Sequence, residues 1–256
     1  MTEAPTAAIL VIGNEILSGR TRDANIQAIG QRMGELGIRL TEARVVRDEE
    51  AAVVAALDAL RAANTYVFTT GGIGPTHDDI TAACVAKAFG RPLHKHPEAM
   101  ATLAAHYAAN GLPFNEARQK MATVPEGAAL IDNPVSKAPG FHIGNVFVLA
   151  GIPRVMQAML DSLTPQLRGG PRMVSATVSC ALGEGMLADG LTRLQEADPS
   201  VEIGSYPYFH HGRFGVSLVM RGTDPAAVET AAAAVRQLIR DLGGEPLAED
   251  PRDEAK

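Results

Sequence analysis

Tyr66-Val67-Phe68-Thr69-Thr70-Gly71-Gly72-Ile73-Gly74-Pro75-Thr76-His77-Asp78-Asp79 is the stretch that decides the fold. The apolar run Tyr66 to Thr70 predicts a strand buried in a sheet. It runs into Gly71, Gly72 and Gly74, then Pro75 and Thr76. Beyond them Ile80, Cys84 and Ala88 recur at helical spacing. A strand, a glycine-rich turn and a helix start make a ready anion site. Glycine lets the backbone approach a ligand closely, and the unpaired N–H groups of a first helical turn point at it. Two carboxylates, Asp78 and Asp79, stand beside this cradle, which points to a bound cation or to proton transfer.

The pattern extends on both sides. Ala7 to Ile12 is a continuous apolar run, read as a first buried strand. Asn25 to Leu36 has helical spacing, with Gly37 where a helix stops. Ile38 to Val46 alternates as a strand does, and Glu49 to Ala62 reads as a helix. The first ninety residues therefore read β-α-β-α-β-α, the order of a mostly parallel sheet covered on both faces. Helical segments are expected near 97–110 and 115–121. A Pro- and Gly-rich stretch, Asp132 to Gly140, follows, then a strand at Val146 to Leu149 and a helix at Val155 to Leu163.

Gln166 to Arg172 is the expected boundary. After it come a strand at 173–180, a helix at 185–194, strands at 201–207 and 214–220, and a long helix at 226–242. That order fits a small α+β domain with helices on one face of its sheet. The expected division is a first domain of residues 1–168, a second of 169–245, and a disordered acidic tail of 246–256.

Composition excludes several classes. A chain of 256 residues with 46% hydrophobic content has enough apolar mass for a real core. Its net charge of −6 argues against a basic nucleic-acid-binding surface. Cys84 and Cys180 lie far apart and form no metal spacing, as in a reduced cytoplasmic protein with two buried thiols. No apolar run approaches the ~20 residues that span a bilayer, and residues 1–6 do not read as a signal peptide.

Four motifs occur in order: Ile12-Gly13-Asn14-Glu15-Ile16-Leu17-Ser18-Gly19, Thr69 to Asp79, Asn133-Pro134-Val135-Ser136-Lys137-Ala138-Pro139-Gly140, and Gly151-Ile152-Pro153. Together they resemble the MoaB/Mog molybdopterin-binding fold, in its competence/damage-inducible protein A (CinA) branch, over about residues 5–168. The region after 170 is similar to the KH-like domain that follows in that branch. The resemblance implies a three-layer α/β domain and metal-dependent cleavage of the pyrophosphate in ADP-ribose. Related domains act on FAD, and Mog-type relatives bind molybdopterin and adenylate it. It also implies a divalent cation, magnesium by preference, and a homo-oligomer, a dimer by preference. The nicotinamide-mononucleotide deamidase domain that often ends such proteins is not expected, since it needs another ~150 residues. Asn14 stands where the family has Asp, Ser136-Lys137 where many members have Gly-Thr, and Ala150 where Pro is common.

The candidate residues follow, each with a plainer alternative. Asp79 maps to the acidic position of the family's glycine motif and is the expected metal ligand and catalytic group; Thr76-x-x-Asp79 is also a capping box. Asp78 is a second acid, or simply faces solvent. Glu15 follows the first strand, at the carboxyl end of the sheet where ligands of open α/β folds bind, and is expected to share catalysis and the metal. Thr70, Gly71, Gly72 and Gly74 form the phosphate cradle, joined by Ser136 as a hydrogen-bond donor and Lys137 as a countercharge. Asn14, Asp48, His77 and Gly140 are assigned to substrate; Asp48 is equally an N-cap for the helix after it. His94-Lys95-His96 and His210-His211 read as a surface loop and a hairpin turn rather than metal pairs. There is no third glycine of a dinucleotide fingerprint and no P-loop. Two function classes remain: a nucleotide pyrophosphatase releasing AMP, or a pterin-binding module without turnover.

Overall fold

Seven almost unbroken apolar residues, Thr6–Ile12, form strand β1, buried on both faces. Ala7, Ile9 and Val11 face one core, and Ala8, Leu10 and Ile12 face another. This two-sided burial is what an inner parallel strand requires. The computed structural model describes residues 4–210 and 212–247. The chain divides between Gly170 and Pro171 into two compact units.

In the first unit the elements follow in chain order as β1, α1 (Asn14–Leu17), α2 (Asn25–Glu35), β2 (Arg39–Val46), α3 (Glu50–Ala63), β3 (Tyr66–Thr70), α4 (Thr81–Ala88), β4 (Leu93–Lys95), α5 (Pro97–Ala109), α6 (Glu116–Lys120), β5 (Thr123–Pro125), β6 (Ala129–Ile131), β7 (Gly140–Ile143), β8 (Val146–Leu149) and α7 (Pro153–Leu163). The six-stranded sheet has the order β2-β1-β3-β8-β7-β6. β2, β1, β3 and β8 run parallel, and β7 and β6 add antiparallel at one edge. Helices α2 and α7 bury Ile29, Met33, Met156, Met159 and Leu160 on one face. Helices α3 and α4 bury Val53, Leu57, Leu60, Cys84 and Val85 on the other. The result is a layered α/β unit with a mostly parallel sheet.

Local chemistry sets the element ends. Helix α2 stops at Gly37, whose φ of 67° is the left-handed conformation glycine adopts without penalty. The Ile38 N–H donates to the Met33 carbonyl at 2.9 Å and the Gly37 N–H to Gly34 at 3.1 Å, a Schellman closure.

The second unit contains β9 (Val174–Cys180), α8 (Glu184–Ala197), β10 (Glu202–His210), β11 (Arg213–Gly222) and α9 (Pro225–Asp241). Its antiparallel sheet has the order β10-β11-β9. Leu187 of α8 and Val228, Ala232, Val235 and Ile239 of α9 pack with Val178, Val216 and Leu218 of the strands. This is the small α+β arrangement expected after the boundary.

Three expectations change. The segment around His94 and Lys95 is not a loop: β4 pairs antiparallel with β5, His94 lying opposite Val124. The first unit ends at Gly170 rather than 168. A β-carbon on Gly169 would lie 2.3 Å from the Leu36 carbonyl oxygen, and the Gly170 N–H donates to that oxygen at 3.0 Å. Arg168 is held as well, its N–H donating to the Tyr66 hydroxyl at 3.0 Å. Pro246 and Leu247, expected to open a disordered tail, are held by the second unit. Pro246 bridges to Cys180, and the Leu247 N–H donates to the Ser179 carbonyl at 2.7 Å. The rest of that segment, and His211, lie outside the described residues.

Cys84 and Cys180 are free and buried. Burial pushes the Cys84 thiol up to about 11, which keeps it protonated. Among the described residues no helix is long and apolar enough to cross a membrane.

Because residues 167–170 are fastened to the first unit, the exposed bond after Arg172 is the expected site of limited tryptic cleavage, with Arg168 protected. Mass spectrometry of the early fragments checks this. The amino-terminal fragment should keep its helical circular dichroism; an unfolded fragment would contradict an independent first unit.

Candidate functional site

The loop after β3 is built by exclusion of side chains. At Gly71 φ is 98°, and an added β-carbon would lie 2.2 Å from the Ile12 carbonyl oxygen of β1. At Gly72 φ is 67°, and a β-carbon would lie 2.2 Å from Thr81 Oγ1. Both backbone conformation and space therefore demand glycine. The turn is pinned beneath: the Gly71 N–H donates to Leu149 of β8 at 3.3 Å, Thr81 Oγ1 donates to the Gly71 carbonyl at 2.9 Å, and the Thr81 N–H donates to the Gly72 carbonyl at 3.0 Å. Among the described residues the N–H groups of Gly72 and Ile73 have no internal acceptor. They are the loop's free donors.

Asp79 organises the upper half of the loop. One of its oxygens accepts from the Gly74 N–H at 2.6 Å. The other accepts from the Thr76 N–H at 2.7 Å and the Thr76 hydroxyl at 2.5 Å. The anticipated capping box at the start of the helix is not formed, because α4 begins at Thr81 with Ile80 as its N-cap. The carboxylate instead closes the glycine turn upon itself. Asp78 is exposed, and hydrogen bonding from Thr76 holds its carboxyl below the usual carboxylate range. His77 projects into solvent, with its side chain 98% exposed.

Two cavities flank the loop. One, of about 120 Å³, is lined by Gly72, Ile73, Gly74, Asp79, Lys120, Met121 and Phe141 among others. The other, of about 50 Å³, is lined by Thr70, Gly71, Glu15, Asn25 and Gly151 among others. Glu15 and Asp79 are thus separated by the loop. Glu15 is exposed and its carboxylate folds back over Gly13, where a β-carbon would lie 2.6 Å from Oε1. Asp48 does not cap α3; its Oδ2 accepts the Asn14 N–H at 2.8 Å and fixes the start of α1.

The 133–140 segment divides. Asn133, 2% exposed, is its hub. Its Nδ2 donates to Ser136 Oγ and to the Ala138 carbonyl, each at 2.7 Å, while its Oδ1 accepts from the N–H groups of Val135 and Ser136 at 3.1 Å. The Ser136 hydroxyl is therefore part of the turn. Lys137, at φ 63°, lines a separate cavity with Glu98, Asp132 and Asn133 instead of the glycine loop. Gly140 is a packing position inside β7, where a β-carbon would lie 2.3 Å from the Val148 carbonyl and 2.4 Å from Met159 Cε. It lines none of these cavities.

Asp79 accepts three donors on its two oxygens, which leaves it one acceptor site, on Oδ1, for a cation. Among the described residues no group of three or more His, Cys, Asp or Glu is placed to hold a metal ion. Glu15 accepts no hydrogen bond from the described residues through its carboxylate. One such carboxylate suits a hard cation that keeps most of its other ligands as water and phosphate oxygens.

Three features carry no local sequence signal strong enough to find. Lys120 donates from Nζ to the Thr76 carbonyl. Asn25 is buried, its Nδ2 donating to the Gly151 carbonyl at 2.8 Å while its Oδ1 has no partner among the described residues; the same is true of Thr70 Oγ1. Thr81, spaced ten residues beyond Gly71, locks the turn.

Comparisons with known proteins agree with this geometry. Residues 8–169 match the family described as a probable molybdopterin binding domain, and residues 172–243 match the one described as the FAD synthase middle domain. A protein of Aeropyrum pernix is 32% identical over 98% of this chain and 99% of its own length. A CinA-like protein of Gloeobacter violaceus is 32% identical over 94% of this chain, which spans 58% of that relative. The crystal structure of CinA from Thermoplasma acidophilum aligns with 64% of this chain and 98% of its own, at 32% identity and a TM-score of 0.59.

Two substitutions test the loop. Gly72→Ala should cost about 1–3 kcal/mol through strain and the clash with Thr81. Asp79→Asn should cost a similar amount, about 1–3 kcal/mol, because an amide NH₂ must then face a backbone N–H. Urea titration measures both; wild-type midpoints would mean that neither contact holds the loop.

Proposed function

We infer the function from one premise: the chain belongs to the MoaB/Mog family of molybdopterin-binding domains, in its CinA-like branch. We propose that it is a divalent-metal-dependent pyrophosphatase acting on a nucleotide pyrophosphate such as ADP-ribose and releasing AMP. The observation that carries this reading is the pair of N–H groups without an internal acceptor at Gly72 and Ile73, residues that line the larger of the two cavities.

In the proposed reaction a water oxygen bonds to one phosphorus while the bridging P–O bond breaks. The products are AMP and a sugar phosphate. Donors at Gly72 and Ile73 stabilise charge on the non-bridging oxygens, and they are already in place before the reaction begins. Asp79 contributes by holding the turn rather than by touching the reacting atoms. Asp78 is a poor proton acceptor, because Thr76 favours its ionised form. A divalent cation supplies polarisation of a phosphoryl oxygen when bound, and we assign Glu15 as the carboxylate that would hold it.

A second reading is favoured by one fact. With Asp79 engaged, the loop retains few groups for chemistry, as a pterin-binding module without turnover would. The two readings separate in a single experiment. Purified protein is incubated with ADP-ribose, FAD and other pyrophosphate-linked nucleotides, with and without magnesium, and AMP is followed by chromatography. AMP should form with metal only, and Glu15→Gln should slow it by about a hundredfold or more. No AMP from any substrate, together with tight pterin binding, would favour the second reading.

A further inference from the structure

We propose that Lys120 binds the ligand's phosphoryl oxygens in the glycine-loop cavity, as the countercharge that sequence comparison places at Lys137. This rests on the reading of the loop as a phosphate site and adds a residue to it. Lys120 ends α6 and reaches the loop from outside it. Its Nζ donates to the Thr76 carbonyl, so Thr76 is gripped on both sides, with Asp79 taking its N–H and hydroxyl. An ammonium has three donors, and one bond to a carbonyl leaves others to direct elsewhere.

The surroundings define what those donors receive. Among the described residues Lys120 forms no close ion pair, its charge acting on the exposed Asp78 carboxylate only as a minor attraction, whereas Lys87 pairs with Glu50. The cavity that Lys120 shares with the loop is otherwise walled by apolar side chains, including Ile73, Met121, Val124 and Phe141. A charge facing apolar walls interacts more strongly with an opposite charge than it would in water. The residues that line the cavity bring several donors: the N–H groups of Gly72 and Ile73, which have no internal acceptor, and the ammonium. The one carboxylate among them, Asp79, already accepts three hydrogen bonds. Donors of this kind are met by a ligand that brings acceptors. An oxyanion does so; an amine does not.

The plainer alternative makes Lys120 a strut for Thr76 and nothing more. Isothermal titration of the full chain with inorganic pyrophosphate distinguishes the two, because it requires no turnover. Lys120→Gln keeps a donor for the Thr76 carbonyl but removes the charge. It should weaken pyrophosphate binding by about tenfold or more, the scale of one charged hydrogen bond. Its thermal midpoint should match wild type. Lys120→Arg should restore binding, and added salt should weaken wild type more than Lys120→Gln. The assignment is overturned if wild type does not bind pyrophosphate, if Lys120→Gln binds it equally well, or if lost binding merely follows a lowered midpoint without rescue by Arg. Pyrophosphate binding without AMP release would sink the hydrolytic reading and leave Lys120 in place. AMP release with an unchanged KM in Lys120→Gln would do the reverse.

Discussion

At Gly71 the ends of three strands come within contact distance of one another, and that crowding governs the site. A β-carbon on Gly71 would collide with the Ile12 carbonyl at the end of β1, and one on Gly151 after β8 would lie 3.2 Å from the Gly71 α-carbon. The chain leaving β3 can pass only as bare backbone in the left-handed region. The same absence of side chains exposes the next two amides. The conformation is unfavourable for other residues by roughly 1–2 kcal/mol. Tertiary anchors hold it: Thr81 from below, Asp79 from above and Lys120 from the side. Such pre-fixed donors are useful because no reorganisation is needed when charge arrives.

Asp79 closes the glycine turn upon itself. Three donors converge on its two oxygens and take up most of its acceptor capacity. Glu15 lies across the loop, and its carboxylate accepts nothing from the described residues. The division of labour follows from position. The acid inside the turn shapes it, and the acid after β1 is the one proposed to meet the ligand.

Much of the fold was legible because its signals are local. β1 and β8 are short apolar runs, α2 ends at a glycine in the left-handed conformation, and the helices carry apolar faces at a period near 3.6. The short strands β4 to β7 were not legible. Three or four residues carry too little pattern, and their pairing depends on partners elsewhere in the chain. The site divided in the same way. Gly71 and Gly72 could be read from their position between a strand and a helix. Asp79 was found, but its partners were not, since Thr76 offered two geometries that the spacing alone does not separate. Asp48 was placed on the helix that follows it, whereas its acceptor serves Asn14, 34 residues earlier. Lys137 looked like the countercharge because it lies within a motif. Lys120 lies in no motif, and its place at Thr76, 44 residues away, exists only after folding.

The most direct test is a crystal structure with α,β-methylene-ADP, whose bridging carbon resists hydrolysis. The β-phosphate should lie within hydrogen-bonding distance of the Gly72 and Ile73 N–H groups, with Asp79 still bound to Gly74 and Thr76. A phosphate seated elsewhere, or an Asp79 carboxylate turned out of the loop to meet a metal ion, would contradict the account.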